Sequence, residues 1–362
     1  MNRTEAIRWI LCLCCPFLRR SQAKTLSELA CSATSLERAS LAQCGRILAR
    51  EGGVACKHAI KRVDRFIGNK RIEPIEAMRG IVQWLAQPRQ RLLVSLDWVD
   101  LRGFQCLVLA ARLRRRAIPL LWAVYRYQDI YRSQNNFEYG LLHALRTMLP
   151  DSTDVVLLAD RGFGRAQMAR QCQILGLGYI LRIQPKVFIR TARFRGLLKD
   201  WPIRRGQSKF LQKVGYRKED PVQCHLAIVW RPDQEEPWYL MTNREDIPVA
   251  RLWKIFGHRM SIEEYFRDTK SKRNGFALRL TQIQDSERLS RFLLVLAWAY
   301  ILLVAMGLYA TKAFRPGQWC SNNRQGECSL FTIGKAMLHR VLPSLARLMR
   351  DLRIELLSPN WG

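Results

Sequence analysis

The chain predicts a mixed α/β fold: one sheet with helices on both faces, a β-rich insertion late in the sheet-forming region, and helical segments before and after it. Between residues 91 and 183, apolar runs rich in Val, Leu and Ile recur between short polar turns, the mark of successive strands. Segments of helical period separate the later runs. With 362 residues, 48% of them apolar and 10% aromatic, the chain can build a substantial core and two or three domains.

Residues 1–75 read as a helical N-terminal region. Its first apolar run, Trp9 to Leu18, is followed by Arg19 and Arg20 and lacks a small-residue cleavage site, so it predicts a helix rather than a signal peptide. In KHAIKRVDRFIGNKR, Lys57, Lys61 and Arg65 recur at helical spacing, with Ile60 and Val63 free to pack inward. Such a helix can offer a cationic face to DNA phosphates, and an ordinary solvated amphipathic helix has the same pattern.

Residues 76–310 carry the predicted sheet. Strands are expected at about 91–98, 104–111, 117–126, 154–159 and 178–183, with a helix in NNFEYGLLHALRTMLP and another at about 164–175. Three strands, then helix, strand, helix and strand, describe a mixed sheet of the ribonuclease H type. From about 186 to 250 the chain turns basic and irregular, then strand-like in CHLAIVW and PWYLMTN; an insertion with a small sheet of its own is expected. The 19 uncharged residues from Phe292 to Ala310 are long enough to cross a membrane. A helix apolar on all sides also suits the middle of a large core. Its place just after a charged helix, in a strongly basic chain, favours the core and no membrane. Residues 311–362 predict a helical end, whose run GKAMLHRVLPSLARLMRDLRIELL suits either a partner contact or a capping helix.

Sixty Lys and Arg against thirty Asp and Glu give a net charge of +30, which calls for a strongly negative partner. Nucleic acid is the first candidate, because neutralised phosphates release counterions. The eleven cysteines, clustered only at Cys12, Cys14 and Cys15, show no zinc-ribbon spacing and fit a reducing cytoplasm. His58, His143, His225, His258 and His339 show no metal-ligand spacing, although His258 stands beside Arg259 and can help hold a phosphate. Gly162 and Gly164 lack the Lys-Ser or Lys-Thr of a phosphate loop and point to a turn that positions Asp160.

Three acids stand out: Asp97 in RLLVSLDWVD and Asp160 in DVVLLADRGFG, each ending an apolar strand, and Glu263 in HRMSIEEYFRDTKS. Ligands of open α/β sheets gather at strand carboxyl ends. Three carboxylates there can hold two hard divalent cations, and such a pair clamps the attacking and leaving oxygens of a phosphodiester displacement. On a helix, Arg259, Glu263, Arg267 and Lys270 share one stripe. Arg259 and Lys270 could grip phosphate near the ions. A salt-bridged surface helix gives the same charge pattern.

Arg259-x3-Glu263-x6-Lys270, preceded by Asp97 and Asp160 at strand ends, resembles the signature of the insertion sequence 4 family of bacterial cut-and-paste transposases, Y-x2-R-x3-E-x6-K. LDWVD, LLADRGFG, RMSIEEYFRDTKS and KHAIKRVDRFIGN are similar to the same family, so the resemblance spans about residues 40–310. It implies a ribonuclease H-like core and a DNA transposase whose Asp97, Asp160 and Glu263 hold two Mg2+ ions, with Mn2+ able to substitute. It implies double-stranded DNA partners, namely transposon terminal inverted repeats and target DNA, cut through a hairpin intermediate. It also implies a homodimer with contacts from residues 311–362, acting at the nucleoid in the bacterial cytoplasm. The motif spacing selects Glu263 over Glu264, and strand position selects Asp97 over Asp100. Trp238 occupies the place of a tryptophan that stacks on a flipped base in that family, and packing inside the insertion accounts for it equally well. The motif's tyrosine, a DNA-phosphate contact, falls at Phe256, which has no hydroxyl to offer. An inactive or repurposed DNA-binding relative is the alternative that Phe256 raises.

Overall fold

A computed structural model describes residues 15, 17–86, 91–131, 133–273, 275–320, 328–338, 340 and 343–357. Most of the helix expected from Trp9 to Leu18 lies outside the described residues, as do Cys12, Cys14 and His339.

Among the described residues, ten strands form one mixed sheet. They are β1 (Arg91–Asp100), β2 (Phe104–Leu113), β3 (Arg116–Arg126), β4 (Asp154–Ala159), β5 (Gly178–Arg182), β6 (Phe188–Arg190), β7 (Arg195–Leu197), β8 (Ser208–Tyr216), β9 (Val222–Val229) and β10 (Trp238–Thr242). Their order across the sheet is β3-β2-β1-β4-β5-β10-β9-β8-β6-β7. The first three strands form an antiparallel meander, whereas β1, β4 and β5 run parallel. Helices α5 (Gln134–Met148) and α6 (Ala166–Ile174) lie in the connections that parallel neighbours require.

The insertion departs from expectation. Its strands do not form a separate small sheet but lengthen the main one: β10 bonds antiparallel to β5, with Leu240 opposite Arg182 and Thr242 opposite Ile180. Without β10, the outer edge of β5 would present unpaired backbone groups, and the insertion covers that edge.

Side chains alternate between the two faces of the sheet. On β4, Val155, Leu157 and Ala159 enter the larger core cluster. Val156 and Leu158 enter a second one with Leu93, Ile180, Ala227 and Leu240. Leu252, Ile255 and Phe256 of α7 (Val249–Gly257) close that second cluster. Helix α8 (Met260–Lys270) follows and packs over β1, β2 and β3.

The apolar run is the centre of α9 (Ser286–Ala313), started by the Asp285 side chain, which accepts from the Arg288 N–H at 2.7 Å. Its most apolar stretch has mean hydropathy 2.3 and is 94% buried within the protein. Helices α1 (Arg20–Thr34), α3 (Cys56–Gly68), α10 (Leu330–Met337) and α11 (Leu345–Leu357) pack against it, as does β3. A Cβ on Gly307 would lie 1.9 Å from the Leu330 carbonyl oxygen, and one on Gly334 1.9 Å from that of Leu303. Glycine at both positions lets α9 and α10 cross backbone to backbone. Arg291, 4% exposed, donates from Nε to the Ile72 carbonyl at 3.0 Å and from Nη1 to that of Ile67 at 3.2 Å. It thereby satisfies one carbonyl in the last turn of α3 and one in the connection that follows, and fixes the N-terminal helices to the core. At the other terminus α11 buries Leu348, Met349 and Leu352, and its Glu355 pairs with Arg114. The apolar face of the C-terminal helix thus packs on its own chain.

Candidate active site

The register of the parallel strands brings the two aspartates together. Residue pairing between β1 and β4 ends at Ser95 and Leu158, and two residues further along each strand stand Asp97 and Asp160. An even step keeps both on one face of the sheet, at the carboxyl ends of parallel strands. Asp160 opens a short turn, Arg161–Phe163. That turn needs Gly164, because a Cβ there would sit 2.3 Å from the Arg182 carbonyl oxygen. The Tyr216 hydroxyl donates to the Gly164 carbonyl at 2.7 Å and holds the turn against the sheet.

On α8, Ile262, Tyr265, Phe266 and Thr269 recur at helical spacing and are buried. Turning that face inward leaves Arg259 and Glu263 on the flank toward Asp97. Arg259 Nη2 lies 2.7 Å from Glu263 Oε1, and its Nη1 lies 3.6 Å from Asp97 Oδ2. Arg259, expected to be free for phosphate, is instead 9% exposed and committed to two of the acids. Its planar fork suits a bridge between two carboxylates.

Burial pushes the Asp97 carboxyl up to about 6; Arg259 and the Trp98 backbone N–H, 2.9 Å from Oδ1, oppose the rise, while Glu263 and Asp160 add to it. All three acids therefore share one electrostatic field. Burial lowers the Lys270 pKa, Arg279 lowers it further, and Asp100 and Asp97 pull it back. The runner-up acids have other partners. Glu264 bonds Arg116 at 2.9 Å and Arg267 at 2.8 Å, and Asp100 accepts from the Arg102 N–H and the Gln105 amide, both at 3.3 Å.

A divalent ion can be tested against these groups. Asp160 Oδ1 is buried without a hydrogen-bond partner, an oxygen placed for a cation to satisfy. Carboxylate oxygens alone are a donor set for a hard ion such as Mg2+. The acids nevertheless do not close into a cage: among the described residues no three Asp, Glu, His or Cys side chains converge enough to hold an ion. Between Asp97 and Glu263 the positive charge is supplied by the Arg259 guanidinium.

The remaining expected residues divide into two groups. Trp238, on β10, is half-buried; the Arg182 guanidinium lies 5.3 Å from its ring centre, and the ring meets Phe256 edge-on at 5.5 Å. Arg182 in turn interacts with Asp160, Arg161 and Arg259, so the insertion tryptophan borders the acids. Phe256, expected among the DNA contacts, is 3% exposed within the second core cluster, where its ring meets that of Trp238. His258 contributes no charge at neutral pH, since burial, aided by Arg112, lowers its pKa to about 4. Lys57, Lys61 and Arg65 project from α3 into solvent, with Val63 buried beneath them.

Three nearby residues escape sequence reasoning: Arg161, Arg182 and Glu138. Arg182 ends β5 beside the acid-bearing strand ends, a position that could have marked it. Glu138 lies in a helical stretch that shows no chemical signal.

Residues 125–302, just under half of the chain, match the family model described as the transposase DDE domain. The matched segment contains Asp160 and Glu263 and begins after Asp97. No curated protein matches the chain.

Proposed function

We propose a residue-level mechanism for a chain that its transposase DDE domain identifies as a DDE transposase, an enzyme of metal-dependent DNA cleavage and transfer. We read the β3-β2-β1-β4-β5 part of the sheet as its ribonuclease H-like core, and the Arg259-Glu263-Lys270 spacing supports a place in the insertion sequence 4 family. Asp97, Asp160 and Glu263 are the catalytic acids. The observation that carries this assignment is the strand register that sets Asp97 beside Asp160, with Arg259 linking Asp97 to Glu263.

These acids would hold two Mg2+ ions, or Mn2+ in their place, which when bound activate the attacking oxygen and stabilise the leaving one. The protein's own groups do the rest. Arg259 balances Asp97 and Glu263 in the free enzyme and turns to the scissile phosphate when the acids are otherwise neutralised. Lys270 adds a mobile positive charge at the far end of α8. Trp238 receives an unstacked base, with Arg182 against its ring. Lys57, Lys61 and Arg65 hold the backbone of the terminal inverted repeat. Because each step is an in-line phosphoryl transfer, one site can cut the first strand, form and open a hairpin, and join the end to target DNA. The working unit is a homodimer in the cytoplasm.

Cleavage of a labelled duplex carrying the gene's flanking inverted repeats, with Mg2+ or Mn2+, tests this reading. Wild type should nick at the repeat boundary, and Asp97→Ala, Asp160→Ala and Glu263→Ala should bind the duplex without cutting it. Normal cutting by any one alanine variant removes that residue from the site. Binding without cutting by wild type would favour a DNA-binding relative that has lost its chemistry.

A further inference from the structure

A buried carboxylate lies behind the acids. Glu138, on α5, is 1% exposed, and burial pushes its pKa upward against the Trp98 indole N–H and Arg165. Its Oε1 accepts from Trp98 Nε1 at 3.0 Å, and its Oε2 accepts from Arg165 Nη2. Each partner is one step from an aspartate. The Trp98 backbone N–H donates to Asp97 Oδ1 at 2.9 Å. Arg165 Nη1 donates to the Gly162 carbonyl at 2.5 Å, within the turn that leaves Asp160. A continuous bonded path thus runs from Asp97 through Trp98, Glu138 and Arg165 to the Asp160 turn.

We propose that Glu138 is a positioning residue for divalent-ion binding: by holding Trp98 and Arg165 on one carboxylate, it sets the separation of Asp97 and Asp160. The inference rests on the assignment of those aspartates as ion ligands. Mg2+ tolerates little departure from octahedral geometry, so two aspartates on different strands serve it only when their spacing is fixed. A residue that merely joined α5 to the sheet would affect stability and leave ion affinity alone.

The test uses the full chain and its Glu138→Gln, Trp98→Phe and Arg165→Gln variants, together with the Trp98→Phe/Arg165→Gln double variant. Glu138→Gln turns an amide donor toward Arg165, and Trp98→Phe removes one N–H while keeping a ring. Mn2+ binding is read by the spin-resonance signal of the free ion and by calorimetry, alongside thermal midpoints and the Mn2+ dependence of nicking. Partners outside the ligand shell are worth 10–100-fold in affinity, so each single variant should bind Mn2+ about tenfold to a hundredfold more weakly. Nicking should recover toward wild type at saturating Mn2+. The double variant should be little worse than the poorer single one, because both break the same path. Unchanged Mn2+ affinity in folded variants, whatever their midpoints, overturns the proposal. If Glu138→Gln does not fold, Trp98→Phe and Arg165→Gln decide alone. A wild type that binds no Mn2+ refutes the three-acid reading instead.

Discussion

Replacing Asp97 with Asn should stabilise the protein while destroying its activity, and the gain should vanish in acid. Burial raises the Asp97 pKa from 3.8 to about 6, so the folded protein disfavours the ionised carboxylate that the unfolded chain accepts freely. A raised folded pKa gives stability that is complete below the unfolded value and lost as pH rises through the folded one. The penalty is therefore absent below about pH 4, grows between pH 4 and 6, and is complete at pH 7.5. At about 1.4 kcal/mol for each pKa unit, the rise corresponds to a ceiling of about 3 kcal/mol. The carboxylate is 23% exposed, and solvent screening trims this to about 1–3 kcal/mol. With an unfolding entropy of about 2.1 cal/mol/K per residue, the 362-residue chain should gain about 1–4 °C in melting midpoint. The assay is calorimetry of wild type and Asp97→Asn in EDTA at pH 7.5 and pH 4, with duplex nicking measured in parallel. A midpoint that falls at pH 7.5, or one that rises equally at both pH values, refutes the argument. Added Mn2+ should stabilise wild type more than Asp97→Asn, because the variant keeps only two of the three carboxylates that gain from the ion.

Three further outcomes follow from the packing and the charges. Replacing Lys57, Lys61 and Arg65 together with Ala should leave the fold intact, since all three are exposed. In titrations across NaCl concentrations, the magnitude of the salt slope for repeat binding should fall by about 2.7, at about 0.9 for each phosphate no longer neutralised. Gly334→Ala should cost about 1–3 kcal/mol in urea unfolding, because its Cβ would meet the Leu303 carbonyl at 1.9 Å and force α9 and α10 apart. A neutral result would mean that the crossing has slack. Trp238→Ala should slow strand cutting about fivefold to a hundredfold, the worth of one base stack, without weakening duplex binding. If Trp238→Ala cuts at the wild-type rate, the ring is a packing residue.

The strands of the central sheet were readable because their signal is local. Runs such as RLLVSLDWVD and DVVLLA carry their own length and apolarity, and β1 to β5 fall within two residues of where those runs place them. The insertion was harder, because the partner of a strand is not written within it. CHLAIVW and PWYLMTN read as strands, yet nothing in either shows that PWYLMTN pairs with β5 some sixty residues earlier. The run from Phe292 to Ala310 was ambiguous for a related reason: hydropathy reports what a helix avoids, not what surrounds it. What settles its place is a set of distant contacts, including Arg291 reaching back to the Ile67 and Ile72 carbonyls.

The candidate site divides along the same line. The placement of Asp97 and Asp160 at neighbouring strand ends was legible because apolar runs mark their strands, and that of Arg259 beside Glu263 because four residues make about one helical turn. The state of Arg259 was not legible. From sequence it is a cation on a charged helix, whereas in the folded protein the same turn that aligns it with Glu263 also lays it on Asp97. Glu138 is the extreme case, since its partners stand forty residues before it and twenty-seven after, at Trp98 and Arg165. A carboxylate in QNNFEYGLLHALRTM carries no mark of burial, because a helix shows its inward face through apolar residues and Glu138 is buried among them without being one. Sequence thus exposes the groups that would meet the substrate more readily than the groups that set their spacing. The former follow from local periodicity, and the latter exist only where distant segments meet.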